Sequence, residues 1–232
     1  MADVPTKKDV IERKGRIREV VFGVQDGLIS TIGFVAGLHS ATANARLVLL
    51  AGLVEMLAGA MSMAAGAYLS GKAEVEVYLR EIEEERKRFL REPYLASEEL
   101  LQAMTGEGLS REKAYRIVKL IQDEEEALLK TFQEKVLGLA NVDPHTPIAS
   151  AVVIGIWFAL GAAVPLIPYL FLTGYTALWA ALILSGTGLF GIGVAKALLA
   201  RKIWWRSGLE FLIIATAAAG IGYLFGLLLP SH

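Results

Sequence analysis

Five long runs of this chain are almost free of ionised side chains, and the charges lie in the stretches between them. A helix of about 20 apolar residues crosses a hydrocarbon core of about 30 Å. Residues 20–38, 47–69, 147–166, 174–199 and 209–229 each approach or exceed that length. Lipid offers no water to backbone N–H and C=O groups, so an open chain segment crosses it as a helix that bonds its own backbone. The expected fold is all-α: a polytopic membrane protein with five transmembrane helices.

The chain is 54% hydrophobic yet carries 23 basic and 24 acidic side chains. Twelve of the basic and 16 of the acidic residues fall between positions 72 and 135, which makes that stretch a polar insert between spans two and three. The organisation expected is residues 1–71 (N-terminal segment and spans one and two), 72–140 (a helical domain) and 141–232 (spans three to five). The N-terminus is polar as far as Glu19 and the first apolar run is long, so span one reads as a retained helix rather than a cleaved signal. With no cysteine in the chain, any metal must be held by oxygen, nitrogen or thioether. A net charge of −1 provides no basic field for nucleic acid.

Arg13, Lys14, Arg16 and Arg18 precede span one, and Arg201, Lys202 and Arg206 lie between spans four and five, whereas residues 39–46 and 168–173 hold one basic residue between them. Positive charge stays on the cytosolic side, so the N-terminus and the insert are expected in the cytosol and the C-terminus outside. Trp204 and Trp205 suit an interfacial anchor. Within the insert, span two is expected to continue to Arg91 and stop at Pro93. A short helix follows over residues 98–104 with Ser97 as its cap, then a turn at 105–108 and a long helix from Ser110 to 137. Leu100, Leu101, Ile117, Leu120, Ile121, Leu128 and Leu129 recur at helical spacing and are expected to form its core. Gly23 and Gly27, Gly33 and Gly37, Gly52, Gly59 and Gly66, and Gly222 and Gly226 recur at intervals that let spanning helices approach. Gly186, Gly188 and Gly191 match a dinucleotide fingerprint, but inside an apolar span with no preceding strand they carry no such function.

Asp26 and Glu55 lie deep in spans one and two, too far from either helix end to reach water. An acidic side chain at a helix centre costs on the order of 2.5–3.5 kcal/mol on insertion scales, so each needs a partner, a water, a proton or a cation. Antiparallel helices bring both near the midplane, since each lies about 12–13 Å of helix rise from its own edge. Gly59 and Met63 follow Glu55 at intervals of four on one face. A route offering carboxylate and thioether suits Fe2+ or a similar transition ion better than Ca2+ or Mg2+. A carboxylate that holds either metal or proton also supplies an exchange mechanism. In the insert, Glu81, Glu84, Glu85, Glu99 and Glu126 are candidate metal ligands from facing helices. The competing account is a solvated surface, with Glu83 and Lys87 or Glu84 and Arg88 as i,i+4 pairs.

Over nearly its full length the chain resembles the vacuolar iron transporter family. The motifs that carry the likeness are VQDGLIS in span one, AGLVEMLAGAMSMAAGAYLSGKAE in span two, LGAAVPLIPYLF in span three and the segment from Gly193 to Lys196. The resemblance implies a homodimer of five-span subunits that exchanges cytosolic Fe2+, and often Mn2+, for protons. It implies no permanently bound cofactor and a cytosolic helical domain that collects metal. It places Asp26, Glu55 and Met63 at pathway positions, and Glu85 and Glu99 where the family has glutamates. Arg88, Ala96, Phe132, Gln133 and Val136 depart from the family's metal-loading pattern. The expectation is therefore a transporter rather than an enzyme, in a prokaryotic plasma membrane, exporting Fe2+ or Mn2+. A membrane-anchored storage or ferroxidase protein working through the insert, and a non-transporting sensor, are the alternatives.

Overall fold

The computed structural model describes residues 7–42, 44–122, 124–136 and 146–228, and every regular element among them is helical. Helices α1 (Lys7–Ala41) and α2 (Ala45–Arg91) come first, and the short helices α3 (Pro93–Gly106), α4 (Arg111–Ile121) and α5 (Glu125–Lys135) follow. Next is α6 (Thr146–Ala163), which passes through a 3₁₀ turn, Val164–Leu166, into α7 (Ile167–Phe171). Helices α8 (Gly174–Leu199) and α9 (Trp204–Leu227) complete the chain. Five stretches are long and apolar enough to cross a membrane: Arg16–Ala41, Ala45–Arg88, Thr146–Phe171, Gly174–Leu198 and Trp204–Leu227. They coincide with the five apolar runs.

The third of these stretches is broken where Pro165 and Pro168 withhold two backbone donors, which tightens the chain into a 3₁₀ turn. Span one is longer than expected and carries His39 inside α1 rather than in the following loop. His39 is buried there, with Nδ1 3.2 Å from the Tyr169 hydroxyl.

The chain divides into two compact units, Met1–Leu69 with Pro147–His232, and Ser70–Thr146. In the first, α1 packs at backbone distance against two neighbours. A Cβ on Gly161 would stand 2.3 Å from the Val24 carbonyl oxygen, and one on Gly27 would stand 2.2 Å from that of Phe158, which locks α1 to α6. On another side of α1, a Cβ on Gly222 would lie 2.0 Å from the Gly33 carbonyl oxygen, and Gly226 meets Gly37 in the same way. No larger residue fits at these crossings. Ser40 seals the second one by donating to the Tyr223 carbonyl at 2.8 Å. Gly66 alone of the expected packing glycines faces open space. Only 11% of the apolar window of α2 is buried in the chain, against 39% for α1. Leu50, Val54, Leu57 and Met61 stand 60–75% exposed along one side of α2, so Met61 does not fill a gap inside the chain.

In the second unit α2 does end at Arg91, before Pro93. The same proline opens α3 five residues earlier than expected, because its fixed φ and missing N–H suit a first helical turn. Ser97 is therefore interior to α3. The expected long helix is two, with α4 ending at Ile121 and α5 beginning at Glu125. Glu124, Glu125 and Glu126 then stand at the start of α5, where acidic groups favour the helix dipole. Asp123, the other member of that acidic run, lies outside the described residues, as do His145 and residues 137–139. The core joins Ala96, Leu100, Leu101 and Met104 of α3 to Ala114 and Val118 of α4 and Leu128 and Phe132 of α5. Ile117 and Leu120 were expected in it but are 36% and 80% exposed, because Ala114, Val118 and Ile121 form the inward stripe of α4.

Gly222→Val is expected to lower the melting temperature in detergent by about 5 °C or more, the scale of a buried steric clash in a chain of this size. Gly66→Ala serves as the control and is expected to leave it within about 1 °C. A tolerated Gly222→Val, read by tryptophan fluorescence during heating, would contradict the backbone contact.

Candidate functional site

Asp26 sits half-buried on α1, on the side it shares with Phe22, which is 51% exposed, and with partly buried Ser30. Those residues are spaced by four and so lie above one another along the helix. Among the described residues Asp26 has no hydrogen-bond or ion-pair partner. Its nearest basic neighbours in sequence, Arg16 and Arg18, are about two turns or more away.

Glu55 occupies the inward side of α2, with buried Gly52 and with Gly59 and Met63 partly buried. Its Oε2 accepts a 2.7 Å hydrogen bond from the Thr31 hydroxyl of α1, and Thr31 is wholly buried. The bond ties span one to span two. Thr31 lies five residues beyond Asp26, about 7.5 Å along the helix and about 140° around it. The structure thus brings Glu55 to α1 on a different face from the one that carries Asp26. Met63 is two turns from Glu55 on α2, about 12 Å along its axis. Between them the Phe158 ring lies over Gly59, where a Cβ would be 2.5 Å from two of its carbons.

Thr31 escaped the sequence reading because a lone threonine in an apolar span more often bonds its own helix, as Thr187 and Thr216 do here. Its partner is 24 residues away, on another helix. Glu19, at the polar start of span one, carries no sequence signal that marks its partner. One of its carboxylate oxygens accepts from Ser150 of α6 at 2.5 Å, and the other is buried without a partner among the described residues.

The insert acids are arranged differently. Glu84 accepts from Arg80 Nε at 2.7 Å, and Glu85 accepts from Arg88 Nη1 at 3.1 and 3.3 Å. Arg88 Nη2 donates to Glu99. Glu81 on α2 and Glu126 on α5 are exposed. The described residues contain no group of three His, Cys, Asp or Glu side chains placed to hold a metal. Ala96 and Phe132 are buried core positions, which accounts for apolar residues at these two departures from the family pattern.

The two kinds of acid are therefore chemically distinct. Eight of those in the insert pair with arginine or lysine, whereas Asp26 and Glu55 have no basic partner among the described residues. A carboxylate without a fixed counter-charge in a low-dielectric setting takes up a proton or a mobile cation.

Comparison with known proteins supplies the context. The profile of the VIT family matches residues 17–227. The chain is 32% identical to vacuolar iron transporter 1 of Eucalyptus grandis over 208 residues, 89% of this chain and 84% of that protein. It is 30% identical to vacuolar iron transporter 1 of Arabidopsis thaliana over 208 residues, 89% of this chain and 83% of that protein. Against the CCC1 protein of Saccharomyces cerevisiae it is 30% identical over 220 residues, 90% of this chain and 67% of the yeast protein. The family match runs through the spans that carry Asp26 and Glu55 and through the polar insert. This chain belongs to the VIT family.

Proposed function

We propose that the chain carries Fe2+, and Mn2+ as a second substrate, out of the cytosol in exchange for protons, along a route that includes Asp26, Glu55 and Met63. The observation that carries this proposal is a pair of carboxylates in spanning helices, neither with a basic partner among the described residues. Kinship with proteins named as iron transporters supports iron as the cargo. Each carboxylate holds a divalent ion or a proton, and each ligand lowers affinity for the other, which is the coupling an antiporter needs. Met63 adds a soft thioether that favours Fe2+ over Ca2+ and Mg2+. By the distribution of arginine and lysine, the N-terminus and insert face the cytosol and the C-terminus faces outside, in a membrane taken to be the prokaryotic plasma membrane.

The working unit in this proposal is a homodimer. Asp26 leaves α1 on a side that is incompletely covered within one chain, and a carboxylate turned toward lipid is costly. In this proposal the second copy covers Asp26 on α1 together with the exposed side of α2. The chain has no cysteine, so a single introduced thiol reports this contact without interference.

In proteoliposomes, Asp26→Asn and Glu55→Gln are each expected to reduce Fe2+ flux by about 100-fold or more, the scale of removing an essential charged ligand. An acidic lumen is expected to accelerate uptake in the wild type. Undiminished flux in both variants would refute the route, and flux indifferent to the pH gradient would refute exchange. Thr31→Val removes the donor to Glu55 and is expected to slow transport about tenfold, as a charge-assisted hydrogen bond implies, while Thr31→Ser retains most of it. Equal rates for the valine and serine variants would dissociate Thr31 from the site. Oxidising membranes that hold Leu57→Cys is expected to yield a covalent dimer, whereas Ile183→Cys, equally exposed on α8, stays monomeric. The reverse pattern would move the interface to α8.

A further inference from the structure

We infer that Glu85 and Glu99 form a two-carboxylate cation site whose occupant is the chain's own Arg88 guanidinium, so that metal enters there only when Arg88 is removed. Glu85 and Arg88 lie one turn apart near the end of α2, and Glu99 comes from α3 after the chain reverses at Pro93. Nη1 of Arg88 reaches both Glu85 oxygens, at 3.1 and 3.3 Å, and Nη2 reaches Glu99. A single planar cation thus bridges two carboxylates from two helices, the task a divalent ion performs when it crosslinks acids on facing helices.

The guanidinium cannot be titrated away at any physiological pH and dissociates only as far as its own side chain reaches. Being tethered, it competes with free metal at an effective concentration in the millimolar range. Glu85 is the most enclosed member, its side chain 18% exposed against 40% for Arg88 and 37% for Glu99. Two other acids of the insert are already paired, Glu98 with Arg111 at 3.2 Å and Glu107 with Lys135 at 2.5 Å. The fold of the insert follows the same logic. Its core is apolar and its helix junction is closed by a permanent cation, so it needs no metal to assemble.

Without Arg88 the two carboxylates have lost the charge between them, and a hard divalent ion with oxygen preference, such as Mn2+, is the natural replacement. The test uses the full-length chain in detergent micelles, with bound Mn2+ counted from the loss of the free-ion paramagnetic signal. Wild type and the double variant Glu85→Gln/Glu99→Gln are expected to bind equal amounts. Arg88→Ala and Arg88→Glu are each expected to bind about one additional Mn2+ per chain, and Glu99→Gln added to either is expected to abolish the gain. Circular dichroism verifies that each variant remains helical, and the alanine variant carries the test if the glutamate variant does not fold. Loss of Mn2+ from wild type on introducing Glu85→Gln/Glu99→Gln would overturn the proposal, because metal would then already occupy the pair. No gain in a folded Arg88 variant would overturn it equally. Sites within the spans are common to all variants, so these differences are readable whether or not the chain transports metal.

Discussion

An ionised carboxylate in hydrocarbon must be given a counter-charge, and the rest of this molecule is arranged around how that is done. Asp26 and Glu55 stand in helical segments whose neighbouring residues are nearly all apolar. One has no bonded partner among the described residues and the other has a single neutral hydroxyl. Neither arrangement neutralises a charge, and Thr31 only orients one. In the proposed function, electrical balance is left to a proton or a metal ion that comes and goes. In the insert the opposite solution is used, with arginine or lysine fixed beside eight of the acids. The contrast separates acids that maintain structure from acids that remain available.

Holding Glu55 against α1 requires the helices to be closely and reproducibly spaced. The glycine crossings provide this. Where Gly27 and Gly161 let α1 meet α6, and Gly37 and Gly222 let α1 meet α9, backbones touch and leave little latitude for sliding. Thr31 lies between these two crossings along α1, so its hydroxyl is positioned by rigid contacts on both sides. The opposite side of α2 is free of such contacts, which is why its leucines and Met61 remain uncovered in the single chain.

The number of spans, the end of α2 at Arg91 and the two membrane acids were legible in the sequence because each depends on a local property: run length, proline, or a charge among apolar neighbours. What escaped depended on distant partners. The pairing of Thr31 with Glu55, the hydrogen bond from Ser150 to Glu19 and the bridging of Glu85 and Glu99 by Arg88 join residues 11 to 131 positions apart. Spacing along one helix says nothing of these. The insert core was misjudged at Ile117 and Leu120 for a related reason. Several apolar residues of α4 satisfy a helical period, and only the position of α3 and α5 selects the stripe with Ala114 and Val118. The fusion of the short helix with Pro93 reflects a residue with two roles, ending one helix and beginning the next.

The Phe158 ring, pressed over Gly59 and 2% exposed, has a further consequence for a carrier of the proposed kind. Glu55 lies on one side of that ring along α2 and Met63 on the other. A continuous file of water there would let hydronium slip through without cargo and dissipate the gradient. An aromatic face offers such a file no acceptor oxygen, so on the proposed route passage would require the ring to swing aside. Leakage and turnover would then be governed by one side-chain rotation.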